Sequence, residues 1–319
     1  MEIKPDYLRI SLTDRCNLNC IYCSPLQRKD FLTHDEVLRY EEITKLVKIF
    51  VRLGVKTVRI TGGEPLIKKN VAELISMLKN IKGLRQVLLT TNAILLADYA
   101  RELKQAGLSG VNISLDTLNK SKFEKITGFD MFDKVWKGIK AALSEGLNPV
   151  KLNVIPLSSM NLDEVADFAR LTLKTPITVR FIELFHTNER NKKIFSNFVP
   201  SEKTKKIIYD SLGELTPITK KGNGPAVYYK LKNAKGAIGF INSTSGNFCA
   251  GCTRLRLDCA GKIYPCLFSK HIYDAKQAIR SNKLDNEIMQ EISKAISEKP
   301  KYTKHMFKDR RIEMSSLGG

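Results

Sequence analysis

The sequence of 319 residues contains no long apolar run and no low-complexity linker. A membrane-spanning helix needs about 18 or more consecutive apolar residues, and no window of this chain approaches that length. The stretch MEIKPDYLRI at the start also lacks the apolar centre of a signal peptide. We therefore expect a cytoplasmic protein that is neither secreted nor inserted into a membrane. Because 43% of the residues are apolar, a large folded core is expected rather than disorder.

Cysteine is absent from residues 24–248, which divides the seven cysteines into two groups. A reducing compartment keeps cysteines as thiols, so clustered cysteines there indicate metal binding rather than disulfides. The amino-terminal group has the pattern C-x3-C-x2-C within DRCNLNCIYC and consists of Cys16, Cys20 and Cys23. The carboxyl-terminal group consists of Cys249, Cys252, Cys259 and Cys266. Two separate metal sites are predicted.

The amino-terminal group lacks a fourth cysteine. A structural zinc takes four protein ligands, whereas a four-iron cluster held by three cysteines leaves one iron open for a small molecule. In the carboxyl-terminal group, Cys249, Cys252 and Cys266 form C-x2-C-x13-C, again three ligands, if Cys259 in DCAG belongs to a hairpin turn. A zinc ribbon that uses all four of these cysteines is the alternative.

Negative charge is scarce, since 33 acidic residues accompany 53 basic ones and the formal net charge is +20. Such an excess suits a polyanionic partner, either nucleic acid or a small phosphate-rich ligand. Lysines on solvated helix surfaces are the other explanation for most of this charge.

Short apolar runs rich in β-branched residues alternate with amphipathic segments through the first two-thirds of the chain. Strands are predicted at residues 7–13, 57–61, 86–90, 110–115, 150–155 and 178–184. Six strands separated by helices predict an α/β fold, an open (β/α)6 partial barrel, because eight strands are needed to close one. We expect residues 1–200 to form this domain. Residues 201–319, with hairpin-like runs and two helices, are expected to form an α+β module that covers the opening.

Basic residues lie inside several predicted strands. Arg9, Arg59, Lys151 and Arg180 occupy four of them, and a charge that faces the core costs several kcal/mol unless an anion pairs with it. A phosphate-rich anion shared by the four is one explanation, and side chains that reach solvent on the helix-facing side are the other. Arg254 and Arg256 in TRLR share one face if this run is a strand, or lie on a solvated hairpin edge.

The cysteine loop directly after the first strand, with Tyr22 before its last cysteine, resembles the radical S-adenosylmethionine (SAM) superfamily. The segment TGGEP at residues 61–65 extends the resemblance, although GGEP alone could be an ordinary turn. The resemblance implies a four-iron cluster whose open iron binds the amino and carboxylate groups of SAM.

Further segments make the resemblance more specific. LRISLTDRCNLNCIYC, VRITGGEPL, TTN, NISLD, RFIE, CAGCTRLRLD, the spacing to Cys266 and the terminal Leu-Gly-Gly together resemble the GTP 3′,8-cyclase family of molybdenum cofactor biosynthesis, over essentially the whole chain. This implies two 4Fe-4S clusters, SAM as cofactor and GTP as substrate. It further implies a ferredoxin- or flavodoxin-type electron donor and a cyclic pyranopterin monophosphate synthase that receives the product. A homodimer is compatible with it. Neither a membrane nor a nucleic acid is an expected partner.

Site residues follow from the family resemblance at matching positions. Cys16, Cys20 and Cys23 would hold the SAM-binding cluster, and Cys249, Cys252 and Cys266 the second cluster. The residues near SAM would be Tyr22, Gly63, Ser114 and Phe185. The residues around GTP would be Arg9, Arg59, Thr90, Lys151, Arg254 and Arg256, with Arg180 as a further candidate. The terminal Gly-Gly would enter the active-site pocket, although without the family it reads as a fraying end. We assign no catalytic acid or base.

Four positions depart from the family pattern: Ser24, Thr57, Ala93 and Phe185. Ala93, where glycine is common, matters only if its turn needs a positive φ. Thr57 stands where some relatives have a lysine, and strand alternation predicts that Lys56 cannot replace that lysine. Two other functions stay open: a different radical SAM enzyme that modifies peptide or RNA, and a basic zinc protein that binds nucleic acid.

Overall fold

The computed structural model describes residues 5–23, 30–185, 192–219, 224–245, 252–267, 269, 272–299 and 317. The predictions made for Ser24, Cys249 and the two terminal glycines lie outside these residues. Within the described ranges, the helices are too short or too polar to cross a bilayer.

Six parallel strands form the first part of the fold, as the alternation of apolar runs predicted. They are β1 Tyr7–Ser11, β2 Thr57–Thr61, β3 Gln86–Thr91, β4 Gly110–Ser114, β5 Val150–Val154 and β6 Thr178–Ile182. Each strand pairs in parallel with the next one along the chain. The connecting segments return the chain to the same edge of the sheet, so the carboxyl ends of all six strands lie together.

The helices that follow these strands are α1 Tyr40–Arg52, α2 Val71–Lys79, α3 Leu96–Gln105, α4 Lys120–Thr127, α5 Phe132–Ser144 and α6 Val165–Lys174. The sequence did not predict the short helix α4. Its signals are present nonetheless, because the Asn119 side chain accepts the N–H of Lys122 at the start and Gly128 ends the helix with φ 81°.

The apolar core lies between the helices and one face of the sheet. On α1, Ile43, Leu46, Val47 and Phe50 recur at helical spacing and are almost fully buried. Alternate positions of the strands meet them, and Leu8 is an example that is inaccessible to solvent. Each buried aliphatic side chain of this kind stabilises the fold by about 1.5–3 kcal/mol relative to an exposed one.

The rest of the chain extends this sheet at both edges. It supplies α7 Lys192–Phe195, α8 Ser201–Leu212, β7 Thr216–Ile218, β8 Val227–Lys230, β9 Ala237–Ile241, β10 Arg254–Leu257, β11 Lys262–Tyr264, β12 Tyr273–Asp274, α9 Ala275–Arg280 and α10 Asp285–Ser297. Strand β9 pairs in parallel with β6, and β10 pairs in parallel with β1. The predicted hairpins are present as the antiparallel pairs β8–β9 and β10–β11.

The described strands therefore form one open sheet of twelve, in the order β12-β11-β10-β1-β2-β3-β4-β5-β6-β9-β8-β7. The prediction of an open partial barrel is confirmed. The carboxyl-terminal strands do not form a separate layer over the opening. They pair with β1 and β6, whose outer backbone groups would otherwise lack partners.

Candidate active site

The amino-terminal cysteines lie in a loop at the carboxyl end of β1. Two backbone hydrogen bonds fix this loop to the end of α4, from Asn19 N–H to the Thr127 carbonyl (2.9 Å) and from Ile21 N–H to the Ile126 carbonyl (3.0 Å). Within the loop, the N–H of Cys23 donates to the carbonyl of Cys20 at 2.8 Å. The helix that the sequence did not predict thus holds the loop in place.

Tyr22 fastens the same loop to the end of β4. Its hydroxyl donates to Oδ2 of Asp116 at 2.5 Å, and Oδ1 of Asp116 accepts the N–H of Ile155 at 2.8 Å. Burial raises the pKa of Asp116 to about 6. Asp116 is the last residue of NISLD, and its role here was not predicted. Ser114, in the same motif, is exposed at the end of β4 and pairs in register with Asn153.

The turn after β2 packs directly on the cysteine loop. The N–H of Gly63 donates to the carbonyl of Thr13 at 2.7 Å, and the N–H of Glu64 donates to the carbonyl of Arg15 at 2.9 Å. A Cβ on Gly63 would lie 2.0 Å from the Arg15 carbonyl oxygen, so only glycine fits. Gly63 therefore has a structural reason to be glycine besides its predicted contact with SAM.

Glu64 anchors this turn, and the sequence reasoning missed it. Its side chain is 1% exposed and accepts the N–H of Leu66 (3.0 Å), the hydroxyl of Thr91 (2.8 Å) and the N–H of Asn92 (2.7 Å). Burial raises its pKa to about 7 despite these donors. Asn92 in turn donates to Oδ1 of Asn17, inside the cysteine loop, at 2.7 Å. The glutamate in GGEP was the available signal in the sequence, because a carboxylate in a tight, glycine-rich turn needs hydrogen-bond donors around it.

Ala93 follows Asn92 in the turn after β3, has φ 64° and is fully buried. The turn therefore does need a positive φ, which favours glycine there, and the alanine carries backbone strain.

The thiols of the loop are poor acids without a cation. Burial, followed by the Glu64 carboxylate, raises the pKa of Cys16 to about 11. Burial and the neighbouring Asp116 raise the pKa of Cys20 well above its ordinary value. Positive iron beside Cys16 and Cys20 would favour their thiolate forms. Among the described residues, no three Cys, His, Asp or Glu side chains converge as ligands of a single metal ion. The donor set, three cysteine thiols in one loop, has the chemistry that a 4Fe-4S cluster requires.

A polar cavity of about 850 Å³ lies on the face of the sheet opposite the helices. Its described lining contains one carboxylate, that of Asp6, and eight basic residues: Arg9, Lys56, Arg59, Arg85, Lys151, Arg180, Arg254 and Arg256. All the strand-borne basic residues singled out from the sequence are therefore brought together. They face the cavity and not the helix side of the sheet.

Three of the arginines form a row across neighbouring strands. Arg9 on β1 pairs in register with Arg59 on β2 and with Arg256 on β10. Burial, and then Arg256, lowers the pKa of Arg9 well below its ordinary value. Burial and the neighbouring Arg254 lower the pKa of Arg256 to about 10. Adjacent strands lie about 4.8 Å apart, so three cations at this spacing repel one another until an anion binds.

Polar neighbours position two of these basic groups. Arg59 donates from Nε to the hydroxyl of Tyr7 and from Nη1 to the Leu89 carbonyl at 3.1 Å. Burial opposes ionisation of Tyr7, but Arg59 and other arginines outweigh it and lower the Tyr7 pKa. Arg180 donates from Nε to Oδ1 of Asn153 at 2.9 Å.

The other predicted ligand contacts also meet this face. Phe185 lines the cavity at the carboxyl end of β6, beside Ile182. Thr90 lies two residues beyond Leu88, a lining residue, on the same face of β3. Its Oγ1 is buried and has no hydrogen-bond partner among the described residues. A buried hydroxyl in this state is suited to a ligand.

The structure corrects the prediction for Lys56. Lys56 lines the same cavity as Thr57. Strand β2 begins at Thr57, so the alternation of side chains along the strand does not determine the direction of Lys56. The carbonyl of Lys56 accepts the N–H of Arg85 at 2.8 Å. Lys56 and Arg85 thus add two cations at the amino ends of the strands, where loop conformation and not periodicity sets the direction of a side chain.

Two of the carboxyl-terminal cysteines, Cys252 and Cys266, lie at the other end of the sheet. Cys252 directly precedes β10, whose Arg254 pairs with Tyr7 at the start of β1, and Cys266 follows β11. The Cys252 sulfur accepts from Nε of Arg254 at 3.2 Å and from Nζ of Lys299 at 3.8 Å. Burial opposes ionisation of this thiol, but Arg254 and Lys299 outweigh it and lower the Cys252 pKa.

Cys259 is separated from these ligands. It is 2% exposed in the turn between β10 and β11, where its carbonyl accepts the N–H of Leu38 at 2.9 Å. Burial and the nearby Asp14 raise its pKa to about 12. Strand β10, Arg254–Leu257, lies between Cys252 and Cys259 and alone spans roughly 10 Å. Four zinc ligands must all lie about 2.3 Å from one ion, so the zinc ribbon is excluded.

The end of the chain reaches the cavity. Leu317 is 6% exposed, and its carbonyl accepts a hydrogen bond from Nη1 of Arg256 at 3.4 Å. The predicted entry of the two terminal glycines into the pocket lies outside the described residues and stays a prediction.

Comparison with known proteins gives the family. Residues 10–172 match the Radical SAM superfamily, and residues 177–305 match the family described as Molybdenum Cofactor Synthesis C. GTP 3′,8-cyclases from Heliobacterium modesticaldum and Desulforamulus reducens are 45% and 44% identical to this chain, each over 98% of it and 97% of the relative. The chain belongs to the GTP 3′,8-cyclase family. The family resemblance recognised in the sequence is thereby confirmed.

Solved structures support the fold of this family member. SuiB from Streptococcus suis, bound to S-adenosylmethionine, has a TM-score of 0.65 at 14% identity, covering 86% of this chain and 64% of that one. The protein anSMEcpe with bound AdoMet has a TM-score of 0.53 at 21% identity, covering 65% of this chain and 58% of that one. At these identities the likeness shows the shared radical SAM fold alone.

Proposed function

We propose that this radical SAM enzyme converts GTP to (8S)-3′,8-cyclo-7,8-dihydroguanosine 5′-triphosphate, the first step of molybdenum cofactor biosynthesis. The observation that carries the proposal is the cavity, in which eight basic residues and one carboxylate lie between two cysteine groups. The curated relatives are named for this activity. An interior surface of this kind suits a small polyanion better than a nucleic acid polymer.

Cys16, Cys20 and Cys23 would hold the SAM-binding 4Fe-4S cluster. When bound and reduced, this cluster would supply the electron for reductive cleavage of SAM, the radical chemistry by which GTP would be cyclised. The chain's own work is to orient both molecules and exclude water. Tyr22 and Gly63 hold the loop geometry and, with Ser114 and Phe185, would contact SAM.

The basic residues would bind the triphosphate. Arg9, Arg59 and Arg256 repel one another, so a tetra-anion would remove an unfavourable interaction as well as add hydrogen bonds. Arg254 and Lys151 would add contacts from β10 and β5. The Thr90 hydroxyl, which has no hydrogen-bond partner among the described residues, would donate to GTP. Arg180, held by Asn153, joins them as a further ligand of GTP.

A second 4Fe-4S cluster would use Cys249, Cys252 and Cys266. Its support is the placement of Cys252 and Cys266 at one end of the cavity and the lowered pKa of Cys252, which favours the thiolate that iron binds. Cys252 and Cys266 lie at the end of the sheet opposite the loop that carries Cys16, Cys20 and Cys23. Strand β1, with five residues, separates the two cysteine groups by roughly 15–20 Å.

Five expectations about domain organisation, partners and location remain predictions. These are the domain division at residue 200, the ferredoxin- or flavodoxin-type electron donor, the cyclic pyranopterin monophosphate synthase that takes the product, a homodimer and the cytoplasmic location. The shared sheet means that the two predicted domains would fold as one unit.

The proposal is tested by incubating anaerobically reconstituted protein with SAM, GTP and dithionite and identifying the nucleotide formed. We expect about eight irons per chain, 5′-deoxyadenosine and the 3′,8-cyclised nucleotide. Cys16→Ala should abolish SAM cleavage, whereas Cys259→Ser should retain the full iron content. SAM cleavage without any change in GTP would contradict the proposed substrate.

Arg256→Gln separates substrate binding from SAM cleavage. It removes one cation of the arginine row, so the KM for GTP should rise at least tenfold while reductive SAM cleavage in the absence of GTP is unchanged. An equal loss of both activities would point to damaged folding and count against the assignment.

A further inference from the structure

Lys299 lies against the carboxyl-terminal cysteine group, although it is 47 residues away from Cys252 in the sequence. Its Nζ donates to the Cys252 carbonyl at 2.6 Å and to the Arg254 carbonyl at 3.0 Å, and it approaches the Cys252 sulfur at 3.8 Å. An ammonium group has three donors, so these three acceptors use all of them.

The fold holds this lysine in place. Lys299 follows α10, whose Ile288 and Ile292 are inaccessible to solvent in the core beside α1. Two backbone carbonyls fix the ammonium group, and the remaining donor is directed at sulfur. Arg254 donates to the same sulfur at 3.2 Å from the cavity side. Two cations of the chain thus converge on one proposed ligand.

We propose that Lys299 sets the reduction potential of the second cluster by placing a fixed positive charge and a hydrogen-bond donor on the Cys252 sulfur. Reduction adds one electron to a cluster, and a nearby cation stabilises that added negative charge. Hydrogen bonds to the sulfurs and local charge are the terms by which proteins tune such clusters. This inference rests on the second cluster proposed above.

The test is a redox titration of the second cluster alone, followed by electron paramagnetic resonance. A parent protein with Cys16, Cys20 and Cys23 replaced by serine removes the signal of the SAM-binding cluster. Lys299→Met in this parent removes the charge and all three donors while keeping a long apolar stem. The reduction equilibrium should become at least tenfold less favourable, which is about 59 mV for a one-electron couple. Lys299→Arg, which keeps the charge, should shift it less than threefold.

The matched control is Lys294→Met, the same chemical change at an exposed position of α10, and it should leave the potential unchanged. Lys299→Gln provides a second uncharged variant that still donates to a backbone carbonyl, so a merely structural role would be rescued by it. A reduction equilibrium constant within twofold of the parent's value in either uncharged variant would overturn the inference.

Iron content separates the remaining outcomes. A parent without four irons would refute the second cluster itself, and with it the two-cluster part of the proposed function. Loss of iron from the Met and Gln variants but not from Lys299→Arg would support the need for a cation at Cys252. Loss of iron from Lys299→Arg as well would contradict it.

Discussion

The burial of Glu64 predicts how the free energy of unfolding changes with pH. Its pKa is raised from an ordinary 4.5 to about 7 by burial, in spite of the donors from Leu66, Thr91 and Asn92. Below pH 4.5 the carboxyl group is neutral in both the folded and the unfolded state. As the pH rises through 7, the folded protein must ionise a buried group, and stability is lost relative to a neutral side chain.

The size of this effect follows from the shift. A shift of 2.5 pKa units corresponds to about 3 kcal/mol over the full titration. About 2 kcal/mol of it falls between roughly pH 5.5 and 8.5, a range accessible to the anaerobic holoenzyme. A glutamine does not titrate, although its amide would oppose one of the three donors and cost about 1–3 kcal/mol at every pH.

The assay is urea unfolding of wild type and Glu64→Gln across this pH range. The free energy of unfolding of wild type should exceed that of the variant most at pH 5.5, and the difference should shrink by about 2 kcal/mol by pH 8.5. A difference that stays constant, or that grows with pH, would refute the reasoning.

Glu183 is the matched control because its pKa is shifted the other way. It is 2% exposed and accepts N–H groups from Ser201 (2.9 Å), Thr244 (3.0 Å) and Ser245 (2.9 Å), besides the Ser245 hydroxyl (2.6 Å). Burial opposes ionisation, but these donors outweigh it and lower the pKa. Its contribution to stability is therefore lost only as the pH falls below 4.5. Glu183→Gln should destabilise the protein equally at every pH from 5.5 to 8.5.

Two further predictions concern the loop that would hold the SAM-binding cluster. Gly63→Ala places a Cβ 2.0 Å from the Arg15 carbonyl oxygen, so the turn and the cysteine loop must separate. Iron analysis should then show about half the iron of the wild type, and full iron content would contradict the account of the turn. Tyr22→Phe removes the hydroxyl donor to Asp116 and should lower the free energy of unfolding by about 1–3 kcal/mol, measured by urea titration. An unchanged stability would show that the bond contributes nothing.

The sequence was sufficient wherever a local pattern governs the structure. The alternation of apolar runs located all six strands of the partial barrel, whereas the structure decided that Arg9, Arg59 and Lys151 share the cavity face. The hairpin around Cys259 was predicted from its turn residues. In each case the information lies within about ten consecutive residues.

Long-range pairing could not be predicted in this way. The parallel pairing of β10 with β1 joins residues more than 240 positions apart, and it adds Arg256 to the row that Arg9 and Arg59 form on β1 and β2. The positions of Lys56 and Arg85 in the cavity lining were also not predicted, because both residues lie outside the strands and strand periodicity does not apply to them. The family resemblance indicated which residues belong to the site, but it did not give their positions in space.

The polar interior explains why this barrel stays open. In a closed eight-stranded barrel, aliphatic side chains from alternate strands fill the interior in layers. Here the corresponding positions carry Arg9, Arg59, Asn112, Lys151 and Arg180, which cannot form such layers without burying unpaired charge. The apolar face that packs on the helices must therefore supply the core, and the opposite face is kept for an anion. Carboxyl-terminal strands added at both edges widen this face and bring Arg254 and Arg256 to it, so the same pairing that completes the sheet also completes the binding site.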